Sequence, residues 1–453
     1  MVPVTPDATR RYEPKAAPDV VNKKPIPRLT RTFQSEMPST GHGWSLFRHP
    51  EGACYFYHKG KNVFTDSDVN NTGIREEITA ALDSIERYVR NQHILLPEGA
   101  PLVIDLDLQL DSEEPESIFY YYYVDHEAKA IFFLHPFDTS SLPAFEEAPR
   151  STTELHRGNE IEAQYWYFVQ LFPTSTKLSE EFLSKLADTC IYWLADVSTS
   201  PTSTTPYTPR AMSEILQLVG PMEKMKNSIC PGSMAALARH MYMFAHTRFI
   251  HYHGEPHARL DRTATVHCTM LYQRTWLIRI ISPFLFFGPD FHLRLLQDAW
   301  VDKIIHADVW VKITAKMQKE WIGLIAYSAL MLACGVSFLT IPGVVPDGGD
   351  GPGRTMSQIV RLFSYLSTIS SFTSTILGCL LHRHHQTSVS DAAPEAQQYL
   401  NDQENKYVGL ELLAIQHSLP HAFLMWSVIF FLAAFSAFCF SSKEIASITA
   451  VAL

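Results

Sequence analysis

The chain of 453 residues has little of what marks the commonest function classes. Its seven cysteines (Cys54, Cys190, Cys230, Cys268, Cys334, Cys379 and Cys439) are scattered and form no Cys-x-x-Cys pair, which excludes a disulfide framework and a zinc knuckle. Basic residues are outnumbered, 37 Lys and Arg against 47 Asp and Glu. The net charge of −10 supplies no broad basic face for phosphates, so nucleic acid is not expected as a partner. Neither a Gly-rich phosphate loop nor a Gly-x-Ser-x-Gly elbow is present. His126-Glu127 opens like a zinc-protease motif, but Ala130 stands where the second histidine is required. No enzyme activity and no cofactor are therefore expected. The start of the chain also lacks an apolar stretch: its first 40 residues hold seven prolines and both signs of charge. That excludes a signal peptide and predicts a disordered tail over 1–40.

What is abundant lies at the other end. A mean hydropathy of −0.05 conceals a split between a mixed, polar region up to Glu320 and a last third with long apolar runs. Three uncharged windows, 321–345, 362–381 and 422–440, each approach the roughly 20 helical residues that cross a bilayer. They predict a membrane block over 321–453, with lipid as its partner. The second window carries eight Ser and Thr between Ser364 and Thr375 and is expected to pack between the other two. Lys303, Lys312, Lys316, Lys319, Arg383 and Lys406 fall on one side of the spans, Arg354 and Lys443 on the other. The positive-inside rule then places the large N-terminal region in the cytosol and the C-terminus opposite.

The region before the spans reads as α+β. A β region with one inserted helix is expected over 41–145: strands around Trp44 and Tyr55, a helix over 76–90, a strand over 103–110, and a hairpin about Asp125-His126-Glu127. A helical domain is expected over 146–320, its last helix running from Pro289 towards the first span. The apolar segment 276–287 is too short to span and contains Arg279 and Pro283, so it reads as a core or interfacial helix.

Two aromatic patterns resemble halves of a WW domain, a three-stranded sheet that binds proline-rich peptides. Trp44 stands eleven residues before Tyr55-Phe56, the spacing of the first half. Tyr122-Tyr123-Val124-Asp125-His126 followed by Phe133 and Pro136 matches the second, with Phe133 in place of the peptide-clamping Trp. The resemblance implies a groove formed by Tyr122, His126 and Phe133, and proline-rich peptides or other proteins as partners. The order of WW-like hairpins, helical region and terminal spans also resembles multi-pass membrane proteins of mushroom-forming (basidiomycete) fungi. Tyr123-Val124-Asp125-His126, Trp300-Val301-Asp302-Lys303 and Ser282-Pro283-Phe284-Leu285-Phe286 resemble that family most. This likeness implies architecture and source, not mechanism. On these grounds the chain is expected to be a membrane-anchored scaffold, with a component of a transport or channel assembly as the alternative. His240, His246, His251, His253 and His257 are close in sequence, but Gly254 and Pro256 disfavour the helix that would aim a pair at one metal.

Overall fold

A computed structural model of the protein describes residues 1–12, 26, 28–31, 43–108, 117–139, 142, 144, 145, 148, 153–266, 274–305, 307–341, 344, 354–388, 393–405 and 407–441. Contacts divide the chain into two compact units, Met1–Asp261 and Arg262–Leu453.

The first unit is built on a mixed sheet of β1 (Val2–Pro3), β2 (Trp44–Arg48), β3 (Cys54–His58), β4 (Val63–Thr65), β5 (Leu102–Leu108), β6 (Ser117–Asp125) and β7 (Ala130–Phe132). The strand order is β1-β6-β5-β4-β3-β2, with β7 also paired to β6. Turn chemistry sets the hairpins. Gly52 adopts φ +104° between β2 and β3. The Asp125 carboxylate accepts from the amides of Glu127 and Ala128 at 2.8 and 2.9 Å between β6 and β7. Strands β4 and β5 run parallel because α1 (Thr72–Asn91) crosses over between them, capped by the Asn71 side chain.

Side chains alternate along β6. Tyr121 and Tyr123 point with Trp44, Phe56 and Val63 towards Ile78, Leu82 and Ile85 of α1. Tyr122 and Val124 point with Tyr55 and Phe64 towards Trp166 and Phe168 of α2 (Glu154–Leu171). A run of aromatics without polar alternation is stable only when both faces of its sheet are covered. The other helices of this unit are α3 (Glu180–Thr199), α4 (Pro209–Glu223) and α5 (Pro231–Ile250). Thr153, Ser179 and Thr208 cap α2, α3 and α4 through their hydroxyls.

The expected disordered tail is corrected for residues 1–12. Val2 and Pro3 pair with Tyr120 and Tyr121, and Arg11 is buried. Its Nε and Nη2 donate to Asp66 at 3.0 and 2.5 Å, its Nη1 donates to the Leu171 carbonyl, and its guanidinium lies 4.7 Å from the Phe172 ring. Most of the remaining tail lies outside the described residues.

The second unit comprises α6 (Trp276–Phe284), α7 (Gly288–Ala299), α8 (Ala307–Leu339), α9 (Arg354–Ser388), α10 (Ala393–Gln403) and α11 (Glu411–Ser441). Within α8, α9 and α11, the stretches Val309–Leu339, Ser357–Gln386 and Glu411–Phe440 are long and apolar enough to cross a membrane. Helix α9 packs against both others, as its hydroxyl-rich sequence predicts. Ser328 and Thr375 hydrogen-bond at 2.8 Å, Ser367 donates to the Ser427 carbonyl at 2.9 Å, and Ser374 to the Pro420 carbonyl at 2.7 Å. Small polar residues let backbones approach where apolar burial gives helices no preference for each other over lipid.

Three boundaries differ from those expected. The spanning helices begin well before their uncharged windows, because helical hydrogen bonding continues through flanking charges, and the first ends at Leu339 rather than 345. Residues 342–353, between the first two spans, lie almost wholly outside the described residues. The expected helical domain to 320 stops at Asp261, because α6 and α7 pack with the spans. Leu293, Leu296 and Trp300 bury against Trp310, Leu410 and Leu413. The helix expected from Pro289 into the first span breaks after Ala299, where Asp302 and Lys303 adopt φ of 53° and 66°.

Candidate functional site

The WW-like residues do not converge on one open groove. Trp44, Tyr55, Phe56, Tyr122 and Tyr123 are all buried, and they divide between the two faces of the sheet. Neighbours in each pair, Tyr55-Phe56 and Tyr122-Tyr123, point oppositely, as the period of two requires. The Tyr55 hydroxyl is 2.7 Å from Thr174 Oγ1, its ring stacks on Phe47, and burial raises its pKa. Tyr122 lies under Phe168, and burial pushes its hydroxyl well above the ordinary value. The His126 Nδ1 is 3.2 Å from the Tyr165 hydroxyl, and burial lowers its pKa. The expected groove of Tyr122, His126 and Phe133 is therefore corrected: α2 covers the first two. A free-standing WW sheet leaves one face open, whereas the described strands here bury side chains on both faces.

Phe133 is the member that still lines an open surface. Half-buried, it stacks on Phe137 with centroids 4.4 Å apart, and Pro136 beside it is exposed. With Leu95, Pro97, Phe132, Leu134 and the turn at Ala128, it lines a mainly apolar groove of about 430 Å³. Leu95 is 96% exposed there, so the groove has an apolar lip as well as an aromatic floor. The strand beside it, β7, pairs only with β6 among the described residues. Trp44 lines the rim of a second groove of about 350 Å³ whose lining includes Leu82 and the charged side chains of Lys61, Arg75 and Glu76.

A polar cluster unforeseen in the sequence lies inside the second unit. His292 of α7, His385 of α9 and His417 of α11 are each at most 2% exposed and gather around the fully buried Trp321 of α8. The His385 and His417 rings are 5.4 Å apart and those of His292 and His417 6.1 Å; Trp321 lies 4.8 Å from His385. Glu320 Oε1 stands 3.8 Å from His292 Nε2. Among the described residues, both nitrogens of His385 and the Nδ1 atoms of His292 and His417 lack a hydrogen-bond partner. The windows chosen for absence of charge had placed the three histidines and Glu320 outside the spans and Trp321 at the very start of the first. Only the helical phase of Trp321, His385 and His417 signalled that they face inward.

Histidines of the first unit serve separate neighbours. His246 Nδ1 meets the buried Glu160 carboxylate at 3.0 Å, and Gln164 donates to the same carboxylate at 2.9 Å. His240 is 3.1 Å from the Tyr207 hydroxyl, and His257 lies against Tyr252. No three His, Cys, Asp or Glu side chains among the described residues are gathered closely enough to hold a metal ion.

No protein-family model matches the chain, and neither the curated proteins nor the solved structures include one similar to it.

Proposed function

We propose that the chain is a membrane-anchored interaction protein whose N-terminal unit captures an extended, proline-rich segment of a partner. The observation that carries this reading is the 430 Å³ groove beside β7. Phe132 and Phe133, which line it, offer aromatic surface of the kind that proline rings and extended apolar side chains pack against. Among the described residues β7 pairs on one side only, and its other edge offers backbone donors and acceptors to such a segment. The three apolar helices supply the anchor, and confinement to a bilayer raises the effective concentration of weakly binding modules. The preferred orientation keeps the groove in the cytosol, on the side of the lysines that precede the first span. The kinship proposed with basidiomycete WW-like membrane proteins rests on the motifs alone.

The test is fluorescence anisotropy of labelled proline-rich peptides titrated with the full chain in lipid nanodiscs. Saturable binding, weakened at least tenfold by Phe133→Asp and unchanged by Glu76→Gln in the second groove, is expected. Equal titration curves for Phe133→Asp and the parent chain, or no saturation with any peptide, would discard the reading.

One observation favours a second reading, a component of a transport assembly. Ionisable groups packed between membrane helices are costly and characteristically mark ion or proton paths. The imidazoles around Trp321 are such groups. Proton flux into liposomes, followed with an entrapped pH dye, would then fall on His417→Phe. Absence of flux from the parent chain eliminates this route.

A further inference from the structure

We infer that the hairpin of α6 and α7 enters the bilayer as a re-entrant wedge and presents its tip, Leu285 to Gly288, to the acyl chains. Its outward positions are apolar at helical spacing: Trp276 is 73% exposed, Ile280 56%, Phe284 64% and Phe287 64%. Arg279, exposed beside Ile280, stands nearer the base of the hairpin, where a long cationic side chain can reach the headgroups, and the large exposed apolar positions towards the tip mark an interaction surface.

Lipid is the occupant because the tip meets the condition that hydrocarbon imposes, that backbone polar groups find partners within the protein. The amides of Leu285, Phe286, Phe287 and Gly288 donate to the carbonyls of Ile281, Pro283, Ser282 and Leu285. Pro283 and Pro289 carry no N–H. The Phe284 carbonyl accepts from Trp426 Nε1 at 3.0 Å. Near the tip, buried Ser282 donates to Asp290, whose carboxylate also lies 3.0 Å from Nη1 of the exposed Arg274.

Position fixes the depth. Phe286 packs edge-on against the Trp426 ring, with centroids 5.5 Å apart. Trp426 stands five residues beyond His421, roughly 8 Å further along a helix that rises 1.5 Å per residue, and so lies inside the apolar run. The hairpin is seated directly on that helix, since a Cβ on Gly288 would come within 2.8 Å of Ser418 Cβ. The hairpin's exposed apolar surface is thus continuous with the lipid-facing side of α11, where Ile429 and Leu432 are also exposed. Phe286 and Phe287 hold φ of 54° and 58°, a region bulky residues rarely adopt. Retaining two phenylalanines in a turn that glycine would fit more easily is understandable if the rings themselves are used.

The full chain in nanodiscs whose phosphatidylcholine carries an acyl-chain diazirine tests this without any substitution. Photolysis and peptide mapping should place crosslinks on the 284–291 segment at a yield within about threefold of those on α11. Crosslinks on the spans with none on this segment would overturn the proposal. Cysteine accessibility gives an independent measure. Phe287→Cys should react with a charged, membrane-impermeant maleimide at least tenfold more slowly than Asp298→Cys on the exposed side of α7. Equal rates would overturn it too.

Discussion

Arg11 joins three parts of the first unit through one guanidinium: the amino-terminal segment, the end of β4 at Asp66 and the end of α2 at Leu171. With Arg11 and Asp66 side chains 2% and 11% exposed, removing one partner leaves the other charge buried without compensation. Arg11→Ala is expected to lower the stability of this unit by about 3–5 kcal/mol, read from denaturant unfolding of the solubilised chain. A second residue-level prediction concerns pH. Burial lowers the pKa of His49, His126 and His240, so the unfolded chain, with values near 6.5, binds protons first as the solution is acidified. Their contribution is complete above that value and is lost as pH falls towards the folded pKa values. The melting temperature of this unit should therefore drop between about pH 7 and pH 5, and His126→Phe should make the drop shallower. Little of this was legible beforehand. Residue type marks Arg11 as polar, and only the fold shows that a distant carboxylate and a carbonyl await it.

At the scale of elements, close approach of α8 and α9 depends on glycine. A Cβ on Gly378 would stand 2.8 Å from Ile325 Cγ1, whereas one on Gly158 of α2 would meet nothing within 4 Å. Gly378→Ala should cost about 1–3 kcal/mol by overpacking. Gly158→Ala should instead stabilise by up to about 1 kcal/mol, because glycine is the poorer helix former. Thermal denaturation in detergent reads both, and a shared sign would refute the packing account. Elements with strong periodicity or caps were visible in the sequence: α1 from Ile78, Leu82 and Ile85, α3 from Ser179, β5 from its alternation, and the spans from their freedom from charge. What failed was assignment of partners. The aromatic pairs suggested a small open sheet because two-residue alternation is the same whether one face or both are covered. Strands β1 and β4, of two and three residues, are too short to carry a pattern at all. Segment 276–287 reads as a short apolar core or interfacial helix, and only contacts show that α6 and α7 pack with the spans.

For the whole molecule, three apolar helices predict retention in the membrane pellet after alkaline carbonate extraction. Release of intact chain into the supernatant would contradict the architecture. Protease added to sealed cytosol-side-out vesicles should digest the first unit while sparing the 342–353 connection; the reverse would invert the proposed orientation. The parallel pairing of β1 on β6 carries a consequence for how the molecule is made. Arg11 leaves the ribosome 160 residues ahead of the Leu171 carbonyl it binds, on the order of ten seconds at cellular elongation rates. Its charge must stay hydrated through that interval and be dehydrated only when the rest of the sheet and α2 exist to receive it. This early-synthesised segment is thus among the last parts of the unit to dock, and a bulky group attached close to Arg11 is a hazard to assembly.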